Sequence, residues 1–294
     1  MRLPRKPIHT DSALKPKAGQ SAQLSISAEA SLAFSRWHET PLASELYELE
    51  EKALKKILPK LFGFHLLVLG GAGSNDLLQS SPISHQITVA ETASDFGSQE
   101  KISLVSPLNA LPLQNDSVDV VIVNHVLEFS HDPRGVLREA VRVLRPGGHL
   151  LLLGFQPISL WGAKRFFFRF CHRFNLLSLR GPWGGRFLGN RRLRDWLALL
   201  EIQARPTSYV KHGLALEHPW LRSKIGPSNT FLEQWLARRA TDGGIPCGAV
   251  ALVWGVKESR PLTPIGSSWK RPIKSALPVS TAPLRESPSR SKMW

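Results

Sequence analysis

Apolar positions in this chain switch between helical spacing and continuous runs, and each switch marks an element. From Pro41 to Leu61, "PLASELYELEEKALKKILPKL" sets Leu46, Leu49, Leu54, Ile57, Leu58 and Leu61 at helical intervals among charged residues, which predicts an amphipathic helix. "HLLVLGG" then predicts a buried strand closed by Gly70, "SNDLLQS" a short helix start, and "HQITVAE" a second strand ending at Glu91. "SVDVVIVNHV" predicts a strand from Ser117. "DPRGVLREAVRVLRPGG" predicts a helix with Pro133 just inside its start and Gly147 just past its end, and "HLLLLGF" the next strand. Beyond these, "RLRDWLALLEI" predicts a helix, "PTSYVKH" a strand and "GAVALVWGVKE" a last strand. The loop "ATDGGIPCG" before that last strand, in place of a crossover helix, would let it enter antiparallel.

Strands that are apolar throughout, separated by helical patterns, must be covered on both faces, which points to an α/β fold around a parallel sheet. The strand, helix, strand unit in the middle closes right-handed. Such sheets bind ligands outside the carboxyl ends of their strands, where the strand order reverses. No repeat shows at a period of about 20–50 residues.

Composition narrows the class. The 294 residues are 42% hydrophobic and 21% charged, enough for one main domain. Two cysteines, Cys171 and Cys247, make neither a disulfide framework nor metal-ligand spacing, so a reducing cytoplasmic setting and no bound metal are expected. "MRLPRKPIHT" is basic but leads into no signal-peptide core, and the run "HLLLLGF" is too short to span a bilayer.

The net charge of +15 is uneven. Residues 1–20 carry five basic and one acidic side chain, 161–194 nine basic and no acidic, and 257–294 eight basic and two acidic, leaving the body slightly acidic. The expected organisation is a basic extension over 1–30, a main domain over 31–258 and a basic Pro/Ser-rich tail over 259–294. In the region 155–194, Trp161, Phe166, Phe167, Phe168, Phe170, Phe174, Trp183 and Phe187 alternate with cations. Three readings suit it: a lid over the site, a membrane-surface helix, or a stacking surface for RNA. "KRFFFRFCHRF" is aromatic on nearly every side, which favours partners on two faces over a simple surface helix.

The stretch "LNALPLQNDSVDVVIVNHVLEFSHDPRGVLREAVRVLRPGGHLLLLGF" resembles the class I S-adenosylmethionine-dependent methyltransferases, in the type 11 branch. Members there read roughly "LPF-x-D-x-S-F-D-x-V", "H-V-L-E-H" and "R-V-L-(R/K)-P-G-G". "GFQPISLWGAKR", "RLRDWLALL" and "LTPIGSSWK" look like a bacterial subgroup, and the likeness runs from about Trp37 to Lys270. The resemblance implies a doubly wound, mostly parallel seven-stranded sheet, an insertion after the fifth strand that helps build the acceptor site, and S-adenosylmethionine as cofactor.

Gly70 then matches the first glycine of the family's "G-x-G-x-G", and Gly71 and Gly73 keep the turn small, whereas Ala72, Ser74 and Val68 depart from the pattern. Glu91, 21 residues after Gly70 at the end of the second strand, is the candidate acceptor for both ribose hydroxyls, with Asp95 next. The adenine contact would fall near Pro107 or Leu108, through backbone groups. Asn124 and His125 end the strand from Ser117 and would face cofactor and acceptor, His125 as a candidate general base. Glu128 reads as an anchor, and Asp119 as a carboxylate accepting backbone N–H bonds.

The expected function is methyl transfer to an unidentified acceptor by in-line displacement. The alternative is a non-catalytic cofactor-binding or regulatory protein on the same scaffold, associated with RNA or a membrane. Nicotinamide-dependent oxidoreduction would need a better "G-x-G-x-x-G" match.

Overall fold

Helix α1 (Pro41–Leu54) begins at Thr40, whose extended backbone lets its Oγ1 accept the Ala43 N–H, with proline in the first turn. The helix predicted to run to Leu61 breaks after Leu54. A separate 3-10 turn, Leu58–Lys60, follows, because Pro59 cannot donate to the helical ladder. The computed structural model describes residues 33–34, 36–37, 40–70, 78–91, 103–174, 181–210 and 248–258. The basic extension, the tail and the loop "ATDGGIPCG", apart from its final Gly248, lie outside them.

The strands are β1 (His65–Leu69), β2 (His85–Ala90), β3 (Leu104–Val105), β4 (Val118–Asn124), β5 (Leu144–Phe155), β6 (Ile202–Ala204), β7 (Ser208–Val210) and β8 (Val250–Lys257). They form one sheet in the order β3-β2-β1-β4-β5-β8-β6, with β7 also on β8. Neighbours among β1 to β5 are parallel, and β8 enters antiparallel to β5. Seven strands are expected and eight are found among the described residues, yet the two counts describe one sheet. β6 pairs Ala204 with Gly255 and β7 pairs Ser208 with Leu252, so both lie along the same edge of β8. Between those pairs three residues, 205–207, stand against Val253 and Trp254. The edge strand is broken by a bulge at Pro206, which has no N–H to give the ladder.

Helix α2 (Pro133–Val143) is capped by Asp132, which accepts the Gly135 N–H. It stops at Val143 instead of continuing toward Gly147. Leu144 is already extended and pairs with Val118, while His149 pairs with Val120, so residues 145–148 bulge out opposite Asp119 alone. Pro146 disfavours helical backbone at Arg145, and Gly147 takes a φ of 80° in the bulge. The "RPGG" motif is thus a strand bulge and not a helix cap. Helix α3 (Leu160–Arg173) starts at Ser159, whose Oγ accepts the Gly162 N–H. Helix α4 (Asn190–Leu199) ends before Ile202, which belongs to β6.

Alternate strand residues feed two cores. Leu66, Val68, Val120, Ile122, Leu151 and Leu153 pack with α1, Trp161 and Trp183. Leu67, Leu69, Val121, Val123, Leu150 and Leu152 pack with α2 and α4. This two-faced burial is the reason the strands read as unbroken apolar runs.

Asp119 anchors the amino end of β1 as its sequence context indicates. Its Oδ2 accepts the Phe64 and His65 N–H groups at 2.8 and 2.9 Å, and its Oδ1 takes Arg145 Nη1 at 2.9 Å. Burial alone would raise its pKa, but the two backbone donors and Arg145 hold it below the usual value. Asp119→Ala is expected to cost about 1–3 kcal/mol in urea denaturation, since it removes the acceptor of the Phe64 and His65 N–H groups at the start of β1. The contribution is present above the ordinary carboxylate range and fades as pH falls through the lowered pKa. An unchanged urea midpoint would show that water replaces the carboxylate without loss.

Candidate functional site

The strand order reverses between β1 and β4, and the carboxyl ends of these two strands meet. Gly70 follows β1 with φ 87° and donates its N–H to Val89 O at 3.0 Å. A Cβ at this position would lie 2.5 Å from the Asn124 carbonyl oxygen and 2.6 Å from Val126 Cγ2. Glycine is therefore required twice, by the backbone angle and by the approach of the neighbouring strand. Gly71, Gly73, Ala72, Ser74 and Asp95 lie outside the described residues.

Glu91 comes directly after β2 and is exposed. The turn after β3 is tied to the same place by Ser106 N–H to Ala90 O at 2.9 Å, and it closes with Ala110 N–H to Pro107 O. Leu108 sits in that turn with its side chain buried in the core, so only its backbone could meet a ligand. Asn124 is the last residue of β4, with a buried side chain. Gly70, Glu91, the turn at Leu108 and Asn124 thus share one end of the sheet.

His125 departs from its expected place. It has a φ of 50°, and its side chain is fully buried. Nε2 lies 2.9 Å from Glu50 Oε1, and Nδ1 is 3.6 Å from Glu128 Oε1. Phe155 covers the ring with a centroid separation of 4.3 Å, and Phe34 approaches at 5.9 Å. Burial alone lowers the imidazole pKa, but the flanking carboxylates of Glu50 and Glu128 overcome it and push it up to about 10. At neutral pH the ring is a cation with no lone pair to offer, so the geometry does not suit a general base.

Glu128 is an anchor, its Oε1 accepting the Phe155 N–H at 2.6 Å. It thereby clips the segment after β4 to the end of β5. Glu50 is the residue that sequence reading passes over. Its signal is present, because Leu46, Glu50 and Leu54 recur every four residues and place a carboxylate inside an apolar stripe. All three are fully buried.

The segment after β5 is fastened at its inner side. Trp161 and Trp183 are fully buried, Lys164 Nζ stands 4.5 Å from the Trp183 ring, and Arg165 Nε donates to Gly185 O at 2.7 Å. Burial and the nearby Arg169 lower the Arg165 pKa to about 10, which leaves it charged at neutral pH. Arg186 N–H reaches Glu128 O at 2.7 Å, joining this segment to the His125 cluster.

The methyltransferase-domain family profile matches residues 67–152, the span from β1 through most of β5. The uncharacterized protein YafS of Escherichia coli is 31% identical over 183 residues, covering 60% of this chain and 71% of its own length. A malonyl-[acyl-carrier protein] O-methyltransferase of Hahella chejuensis is 43% identical over 51 residues, 17% of this chain and 18% of that one. Among solved structures, a SAM-dependent methyltransferase, possible histamine N-methyltransferase, from Thermotoga maritima shares the fold with a TM-score of 0.50. It is 18% identical, and the match covers 76% of this chain and 94% of that one. With a parallel sheet closed by antiparallel β8, Gly70 at the point of strand reversal and these likenesses, the chain belongs to the class I S-adenosylmethionine-dependent methyltransferase family.

Proposed function

We propose that this protein transfers a methyl group from S-adenosylmethionine to an acceptor by in-line displacement. The observation that carries the reading is the contact at the switch point, where Gly70 at φ 87° presses against the Asn124 carbonyl and leaves no room for a side chain.

The residues present suit the cofactor. Gly70 places no side-chain atom where β1 ends. Glu91 offers a solvent-facing carboxylate one residue past β2, where two ribose hydroxyls could donate to it. The backbone of Ser106 to Leu108 borders the same end, as an adenine contact would require. Gly71 and Gly73 remain candidate members of the turn, and Asn124 a candidate contact beside it. The cofactor supplies a sulfonium methyl that is already electrophilic, so the protein's task is to align and dry two reactants. That agrees with His125 being buried beside Glu50 and Glu128 instead of facing a substrate.

Native mass spectrometry with and without S-adenosylmethionine tests the reading. Binding by the wild type is expected, and Glu91→Ala should weaken it about ten- to a hundredfold through loss of charged hydrogen bonds. Unchanged affinity in the variant would remove Glu91 from the site. No binding by the wild type would sink the transferase reading in favour of a protein that keeps the scaffold without the chemistry.

A further inference from the structure

Helix α3 has two apolar faces, and only one meets the core. Trp161 and Cys171 are buried, and Phe168 stacks on Trp183 with centroids 5.9 Å apart. Phe166, Phe170 and Phe174 recur every four residues on the opposite side, with Phe167 beside them. These four rings are 74%, 55%, 58% and 58% exposed in that order. Phe170 and Phe174 already touch edge to face at 5.0 Å, so they form a continuous strip. A strip of four exposed phenylalanines along one helix and its C-cap calls for a partner.

Charge identifies the partner. Residues 161–194 hold nine basic side chains and no acidic one, and exposed Arg169 borders the strip. Phenylalanines in a row with cations around them are the composition of a helix lying in a lipid interface, with rings at the acyl boundary and cations at the phosphates. The helix has 14 residues, and none of the described helices is long and apolar enough to cross a membrane. A second copy would bring two strongly basic segments face to face. RNA would need spaced rings along a concave basic track, whereas this strip is the convex side of one helix and its rings carry no hydrogen-bonding group.

We propose that α3 docks the protein on an anionic phospholipid bilayer, with Phe166, Phe167, Phe170 and Phe174 inserted at the headgroup boundary and neighbouring cations on lipid phosphates. Docking in this form stands apart from catalysis. The helix follows the carboxyl end of β5, the end of the sheet that also carries Gly70, Glu91 and Asn124. The site end of the sheet would then lie near the bilayer, and an acceptor dissolved in lipid follows, a step that rests on the transferase reading.

Flotation of the full chain with vesicles of phosphatidylglycerol and phosphatidylcholine, against phosphatidylcholine alone and without S-adenosylmethionine, tests the docking. The wild type should float with the anionic vesicles only, and less as salt rises. Phe166→Ser/Phe170→Ser/Phe174→Ser should lose at least about tenfold in vesicle affinity at unchanged Tm, since the rings are exposed. Absence of flotation, or equal flotation of the variant, overturns the proposal. So does a several-degree fall in Tm, which would show that another part of this chain covers the strip. A strip-dependent dimer in sedimentation, or strip-dependent retention of poly(U) without vesicle binding, also overturns it. Flotation lost with S-adenosylmethionine binding intact removes the docking alone, and the reverse result removes the transferase reading alone.

Discussion

Glu50→Ala is expected to destabilise the fold by about 3–5 kcal/mol, the loss typical when one member of a buried ion pair is removed. The variant leaves His125 inside the aromatic cluster of Phe34, Phe129 and Phe155 with Glu128 as its one neighbouring carboxylate among the described residues. The pH dependence separates this cause from a simple cavity. The folded-state pKa of His125 is raised from 6.5 to about 10, so its contribution is complete below about 6.5 and is lost as pH climbs toward 10. The gap between wild type and variant in urea denaturation should therefore be largest at about pH 6 and shrink by about pH 9. Glu50→Gln keeps the shape and an acceptor oxygen while removing the charge, and should fall between the two. If the gap is the same at both pH values, the pair is not ionic and the loss is packing alone.

That cluster also shows what sequence can and cannot reveal. Continuous apolar runs announce β1, β2, β4, β5 and β8, because a parallel sheet buries both faces and no other element needs five such runs. β3 and β6, with two and three residues, are too short to carry a period and exist through pairing with their neighbours. The "RPGG" motif is ambiguous in principle: proline followed by glycine ends a helix and builds a bulge equally well, and only the register against Asp119 distinguishes them. His125 invites a catalytic role because its strand-end position is visible, while the carboxylate that claims it lies 75 residues earlier. Helix α3 reads as aromatic all round, and the division into a buried and an exposed face needs Trp183, which no local pattern ties to it. The proposed cofactor positions at Gly70 and Glu91 are readable in the sequence because the ends of the first two apolar runs are, and sheets of this kind take ligands at those ends.

Gly70→Ala is expected to abolish cofactor binding and to lower stability by more than about 2 kcal/mol. Two costs combine. At φ 87° an alanine is strained by its own carbonyl, roughly 1–2 kcal/mol for a residue held in left-handed backbone. Its Cβ would also stand 2.5 Å from the Asn124 carbonyl oxygen, which belongs to a paired strand end and cannot swing aside as a side chain would. Val126 Cγ2 at 2.6 Å closes the other direction, and that side chain is buried. Relief requires separating the ends of β1 and β4, which is the place proposed for the cofactor. Thermal denaturation with and without S-adenosylmethionine reads both effects. A ligand at about a hundred times its Kd should stabilise the wild type by about 2.7 kcal/mol, and the variant should show no such gain at the same concentration. If Gly70→Ala keeps the full ligand-induced shift, the turn lies outside the cofactor site. The contact at the switch point would then describe how two strands pack and would no longer support methyl transfer.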